Sequence, residues 1–326
     1  MNKVRIIGTG SYVPEKIVTN EELSCIVDTS DEWISSRTGI RERRISEGED
    51  TSHMASRAAL KAIENAGVKA EDIDLIILAT ATPDSFIPST ACIVQDNIKA
   101  INATCFDISA ACSGFVYGID IATQFIRTGS VKTALVIGAE TLSKVLNWKD
   151  RNTCVLFGDG ASAAVLKESD VEGVLSIYRG SDGSKGKFLT CNAVPVKNPY
   201  IDSKETMGDI DNAITMDGKE IFKFGVKIIV QGVEELLKDT TYSLKDIKYI
   251  VPHQANFRII ESAAKRLGVS EEKFYLNLDK FGNTSAASVG IALDDMVQKN
   301  LLQSGDKILL IGFGGGLTYG GLIVEW

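Results

Sequence analysis

One cysteine, one histidine and one asparagine of this 326-residue chain stand where chemistry can be done. Cys112 lies in TCFDISAACSGFVYGIDIATQFIRTG (104–129), His253 in YIVPHQAN and Asn283 in GNTSAAS. Cys112 falls between a short apolar run and residues spaced as a one-sided helix: Phe115, Ile119, Ala122, Phe125 and Ile126 recur at three- and four-residue intervals. That places it in a tight turn at a helix N-terminus. There a thiol meets unpaired backbone N–H groups and the positive end of the helix dipole, which favour the thiolate. The same N–H groups can hold an oxyanion when the sulfur attacks a carbonyl. Ser109, Ala110, Ala111, Ser113 and Gly114 leave room for a substrate. Taken alone, the stretch fits a buried structural cysteine better than a nucleophile, because most free cysteines pack as small hydrophobes. Alone, His253 likewise reads as a satisfied core histidine and Asn283 as a cap. Together they support two chemistries. In a hydrolase, His253 would deprotonate Cys112 and Asn283 would orient the imidazole. In a condensing enzyme, His253 and Asn283 would be paired hydrogen-bond donors to a thioester oxygen, stabilising an enolate. Asn283 has its own helix turn, away from His253, and this favours the second.

The elements that must position these residues form a repeat. Asp72-Ile-Asp-Leu-Ile-Ile-Leu-Ala-Thr80 is echoed 174 residues later by Asp246-Ile-Lys-Tyr-Ile-Val-Pro-His-Gln254, and Ala134–Gly138 (ALVIG) by Ile308–Gly312 (ILLIG) at the same offset. Between them each half carries a strand, a small-residue turn and a helix, so Asn283 is expected close to the position that Cys112 holds in the first half. The pattern predicts an α/β fold of two duplicated βα halves, 1–172 and 173–326, with the active site between them at the ends of buried strands. Gly312–Gly320 (GFGGGLTYG) follows the last buried strand expected from the sequence, and reads equally as a structural turn or as a source of oxyanion-binding N–H groups.

Composition narrows the classes. A net charge of −8 argues against a general nucleic-acid binder. No apolar run approaches the roughly 18 residues of a membrane span, and MNKVRIIGTGSYVPE lacks the apolar core of a secretion signal. A cytoplasmic protein is expected. Six cysteines without a CxxC pair and two histidines predict reduced thiols and no metal site.

Along the chain, Val4–Ile7 predicts a short strand followed by a turn through Gly8 and Gly10. Thr19–Glu22 is a capping box, and Ser30 opens a helix running towards Arg37. Trp33 with Arg37, Arg41, Arg43 and Arg44 is either a solvated charged face or a set suited to an aromatic base and phosphates. Thr51–Ala66 predicts a helix with Met54, Ala58, Leu60 and Ile63 inward, ended by Gly67. FGDGA (157–161) is a Gly-rich turn that matches no nucleotide-binding pattern. Ser181–Gly218 reads as a long loop or small insertion. A long helix follows, with Phe222, Val226, Ile229, Val233 and Leu236 on one stripe.

IGTGSYVPE, TSDEWI, RTGIRERR, AACSGF, FGDGA, VPHQAN, GNTSAAS and GFGGG, distributed over nearly the whole length, closely resemble the β-ketoacyl-[acyl-carrier-protein] synthase III family, the initiating condensing enzymes of type II fatty acid synthesis. The resemblance implies a thiolase-like α-β-α-β-α fold and a decarboxylating Claisen condensation. A short acyl-CoA, acetyl or branched, would be joined to malonyl-[acyl-carrier-protein] with no cofactor. It implies that Cys112 takes the acyl group, that His253 and Asn283 promote decarboxylation, and that Gly315 supplies an oxyanion donor beside the N–H of Cys112. By the same resemblance Trp33, Arg37 and Arg151 grip CoA, Gly218 and Asn256 follow the pantetheine channel, and Ile87 lines the acyl pocket partly across a homodimer interface. Relatives are often aromatic at that position, so Ile87 would admit a longer or branched primer. An acidic carrier protein would dock on Gln254, Ala255, Asn256, Phe257 and Arg258, with Lys223, Lys265 and Arg266. A specialised condensing enzyme of secondary metabolism and a Cys–His–Asn thioester hydrolase are the alternatives.

Overall fold

A computed structural model describes residues 1–195, 200 and 212–326. Residues 196–199 and 201–211 of the Ser181–Gly218 loop expected from sequence therefore lie outside the described residues. Its edges form a short helical turn at Gly183–Phe188 and a two-stranded ladder of Leu189–Thr190 with Thr215–Met216.

Two sheets carry the chain. The first holds β1 (Lys3–Tyr12), β2 (Leu75–Ala79), β3 (Thr104–Ile108), β4 (Thr133–Glu140) and β5 (Gly160–Ser169) in the order β1-β5-β4-β2-β3. The second holds β6 (Val174–Ser181), β7 (Ile247–Pro252), β8 (Lys307–Gly314) and β9 (Thr318–Glu325) in the order β7-β8-β9-β6. Read from the other edge, the second repeats the first: β6, β9, β8 and β7 stand where β1, β5, β4 and β2 stand. The counterpart of β3 is reduced to one bridge between Ile250 and Phe274.

Helices α1 (Asp31–Thr38), α2 (Thr51–Ala66), α3 (Thr90–Ile98), α4 (Gly114–Arg127), α5 (Gly218–Lys238), α6 (Phe257–Leu267) and α7 (Ser288–Gln298) complete the layers. α2 and α3 cover the outer face of the first sheet through Met54, Ala58, Ile63 and Val94. α4 and α7 fill the space between sheets, where Phe115, Ile119, Val289 and Leu293 meet side chains of both. α5 and α6 cover the far face of the second through Ile229, Val233, Ile259 and Ile260. β2 and β4, covered on both sides, are buried at every residue, which is why they read as continuous apolar runs.

The repeat is visible in backbone detail. The turn Ala111–Ser113 leads into α4 as Ser285–Ala287 leads into α7, 174 positions on, and Ala111 and Ser285 hold left-handed φ of 45° and 46°. The partner of Cys112 is thus Ala286; Asn283 comes three residues earlier. α7 of the second half is tied to β1 of the first by buried Asp294, which accepts from Thr9 Oγ1 (2.9 Å) and Ser11 Oγ (2.6 Å).

Several local expectations change on packing. Gly8 and Gly10 lie inside β1, not in a turn: a Cβ there would come within 2.5 Å of Ala66 N and 2.4 Å of Ala58 O, so glycine lets α2 lie against the strand. Leu60, Phe125 and Phe222 are partly exposed, at the rims of their helical stripes. GFGGG does not end the sheet; it links β8 to the further strand β9.

Candidate active site

Cys112 is delivered by β3 into the turn before α4 and is buried. β8 runs past it with glycine at each close approach. A Cβ on Gly312 would lie 2.9 Å from Ser113 Cα, and one on Gly314 would lie 2.8 Å from Cys112 Cβ and 2.9 Å from Sγ. The thiol donates to Ser285 Oγ at 3.5 Å. Burial pushes it up to about 12, the Ser285 hydroxyl acting the other way. The resting group is therefore a neutral thiol, not the thiolate expected from its place at the helix end. Desolvation outweighs the dipole.

His253 follows β7 and is buried; its N–H donates to Ile311 O of β8 at 2.7 Å, and its ring meets Phe313 edge-on at 5.3 Å. Burial lowers its pKa to about 3, so the imidazole is neutral. Nδ1 lies 2.7 Å from Ser288 Oγ. In the tautomer where Nδ1 accepts from that hydroxyl, Nε2–H is a donor. Asn283 is clasped by the FGDG turn of the first half: its N–H donates to Leu156 O (2.8 Å) and its carbonyl accepts from Gly158 N (3.0 Å). Its Oδ1 accepts from Ser285 N at 2.9 Å, which leaves the NH2 to donate elsewhere. Asn283 and Cys112 share Ser285, and Cys112 and His253 share the end of β8. The two halves bring all three to one junction.

Beside Cys112 opens a cavity of about 750 Å³, also lined by Gly315, Ser285, Phe157, Leu142 and Ile214. His253 and Asn283 are not among its lining residues. Ile87 is not either: it is 88% exposed, and its neighbour Phe86 reaches the cavity. Within one chain the acyl-pocket reading of Ile87 does not hold, because the loop turns that side chain outward.

The CoA candidates come together from distant sequence. The Arg37 guanidinium lies 4.6 Å and that of Arg151 5.1 Å from the Trp33 ring centroid, and Arg151 is anchored to Asp28 O at 2.9 Å. Arg43 does not join them. It is fully buried, donating to Val18 O, Asn20 Oδ1 and Val155 O, and Arg44 turns to Glu42 and Phe281. α1 abuts α6, where Arg258 Nε donates to Ser36 O at 3.2 Å. Asn256 caps α6 through Arg258 N, and Gly218 begins α5 on the surface. Of the docking candidates, Lys223, Arg258, Lys265 and Arg266 are exposed, Lys223 paired with Glu220. Ala255 and Phe257 are half-buried. Gln254 is removed from that surface: it is 1% exposed, bonded to Pro252 O, Tyr275 O and Asn277 N.

Ser285, Ser288, Glu140 and the FGDG clasp were not singled out from sequence as parts of the site. The hydroxyls of GNTSAAS and an acid closing the apolar run ALVIGAE were the available signals.

Two stacked, duplicated sheets with a buried cysteine, histidine and asparagine at their junction define a condensing enzyme of the thiolase-like class. Family models described as 3-oxoacyl-[acyl-carrier-protein (ACP)] synthase III and its C-terminal part match residues 106–183 and 237–326. Proteins named β-ketoacyl-[acyl-carrier-protein] synthase III from Clostridium kluyveri and Clostridium acetobutylicum are 66% and 57% identical over all of this chain and 99% of theirs. The solved 3-oxoacyl-[acyl-carrier-protein] synthase III of Aquifex aeolicus is 44% identical with a TM-score of 0.92, covering 99% of this chain and 100% of that one. The priming β-ketosynthase of the R1128 polyketide pathway is 37% identical with a TM-score of 0.91, covering 99% and 96%. The chain belongs to the β-ketoacyl-[acyl-carrier-protein] synthase III family and is an acyltransferase of the condensing type.

Proposed function

We propose that the chain joins acetyl-CoA or a short branched acyl-CoA to malonyl-[acyl-carrier-protein], releasing CoA and CO2 and starting fatty acid synthesis in the cytoplasm. Cys112 attacks the primer thioester, with its own N–H and that of Gly315 holding the oxyanion. His253 Nε2 and Asn283 Nδ2 then donate to the malonyl thioester oxygen, so that loss of CO2 leaves a stabilised enolate that attacks the acyl-cysteine. The reaction needs no cofactor beyond its two thioester substrates.

One observation carries this reading over the hydrolase: His253 and Asn283 are oriented by separate serines. His253 Nδ1 meets Ser288 and Asn283 Oδ1 meets the N–H of Ser285, so the asparagine does not orient the imidazole. A buried, neutral ring also suits donation to an enolate better than holding a proton opposite a thiolate.

The stacked Trp33–Arg37–Arg151 cluster would take the CoA adenine and phosphate, with Gly218 and Asn256 along the channel. The exposed Arg258, Lys265 and Arg266 supply a local basic surface for an acidic carrier protein on a net-negative chain. A homodimer is proposed because, among the described residues, β3 is paired on one side only and the loop beside it exposes Phe86 and Ile87; Ile87 would then enter a partner's pocket.

The test is intact mass after incubation with acyl-CoAs, combined with malonyl decarboxylation. Cys112→Ser is expected to abolish acyl-enzyme. His253→Ala is expected to keep acylation and lose decarboxylation; normal decarboxylation by that variant would overturn the assignment, and free acid as product would restore the hydrolase.

A further inference from the structure

Glu140 ends β4 inside the protein, with no exposed surface and no ion-pair partner among the described residues. It is surrounded by donors. Oε2 accepts from Ala81 N (3.0 Å), Thr82 Oγ1 (2.6 Å) and Thr80 Oγ1 (3.3 Å), and Oε1 accepts from Ser285 Oγ at 3.0 Å. The N–H of Ala286 also bonds it. Two backbone N–H groups can only donate, so these contacts suit the ionised carboxylate. Burial without a cation pushes its pKa up, and the hydrogen bonds from Thr82, Ala81, Ser285 and Ala286 act the other way to hold the charge.

Ser285 is the link. Its hydroxyl donates to Glu140 while receiving the thiol of Cys112, and its left-handed φ of 46° is a conformation that L residues rarely hold. Cys112, Ser285 and Glu140 thus form one hydrogen-bonded line, from the first half through the second and back.

We propose that Ser285 relays the Cys112 proton to Glu140 during acylation, Glu140 acting as the base and Ser285 as the positioning residue between them. The proposal rests on the condensing reading above. As Sγ bonds to the primer carbonyl, its proton passes to Ser285 Oγ, whose own proton passes to Glu140, and CoA leaves as the thiolate and is protonated by solvent. When the enolate attacks the acyl-cysteine, the departing Cys112 sulfur recovers the proton by the reverse path, and Glu140 is ionised again. The high resting pKa of the thiol explains the need for a base, and neutral His253 is left free for the second half-reaction. The other titratable groups near the line are the Cys191 thiol, which feels the Glu140 charge, and Asp84 and Lys144, which line the cavity but bond to Ser52 N and Pro83 O.

The test is single-turnover acylation by acetyl-CoA, followed by intact mass across pH in the wild type, Glu140→Gln and Ser285→Ala. The expected result is a loss of about 10²-fold near neutral pH in both variants. Their rates should also climb about tenfold per pH unit as the thiol ionises unaided, while the wild type levels off. Ser285→Ala keeps the carboxylate and its backbone donors, so it carries the test if Glu140→Gln does not fold. Wild-type rates in the variants, or an equal loss at every pH, would overturn the relay and leave the condensing reading intact. No acylation of the wild type would overturn both.

Discussion

Gly314→Ala tests the reasoning about space beside Cys112. Gly314 has a φ of 176°, extended backbone open to any residue, so its demand is for room alone. The added Cβ would lie 2.8 Å from Cys112 Cβ, 2.9 Å from Sγ and 3.1 Å from Cys112 N. Carbon atoms rest at roughly 3.5–4.0 Å, so strand and turn must separate by about 1 Å. β8 cannot yield freely, because Gly314 is held in register with Thr318 on one side and β8 is paired with β7 on the other. The turn carrying Cys112 must move. Overpacking of this kind costs about 1–3 kcal/mol, and a displacement of about 1 Å at a reacting atom costs about 10²-fold in rate. Gly232→Ala, within α5, is the control, since its Cβ would meet only Ile311 Cδ1 at 3.5 Å, an ordinary contact away from Cys112. Urea denaturation gives the stability term, and single-turnover acylation by mass gives the rate. If Gly314→Ala unfolds and acylates like the wild type, the account of how β8 confines Cys112 is wrong.

Two further predictions follow from burial and charge. The pKa of His253 falls from 6.5 unfolded to about 3 folded; between these values the unfolded chain binds the extra proton, so this residue's contribution to stability is full above 6.5 and declines as pH drops, by up to about 1.4 kcal/mol per unit. His253→Gln should remove that slope in urea titrations from pH 7 to 5, and parallel curves for the two proteins would refute it. Reversing Arg258, Lys265 and Arg266 to Glu should raise KM for malonyl-[acyl-carrier-protein] about tenfold or more at low salt and leave malonyl-CoA turnover unchanged; an equal effect on both substrates would place the carrier elsewhere.

Local signals were enough for much of the scaffold. The capping box at Thr19 is formed, Ser30 caps α1, and α2 runs from Thr51 to Ala66 with left-handed Gly67 behind it, as its sequence predicts. Capping and periodicity act within a few residues of themselves. The 174-residue repeat gave the duplicated halves, because two βα units of similar pattern bury themselves in similar ways. Cys112 and His253 were legible as candidates because each follows a recognisable strand, and Asn283 because it precedes the small-residue turn into a helix.

What the sequence by itself determined, then, is most of the helices and buried strands, the duplication and the three residues proposed to react. Tertiary structure decided their state. The Cys112 thiol is neutral because the closed junction removes water, whatever its helix end offers. Gly8, Gly10 and Gly314 read as turn residues until α2 and the Cys112 turn are seen lying against them. Arg43, one of a row of arginines, goes inward because Val18, Asn20 and Val155 converge on it, while Arg37 reaches Trp33. Glu140 gains a role only when Ser285, from the other half, arrives beside it. Desolvation and close approach depend on which distant segment comes next to a residue, and no short window of sequence contains that information.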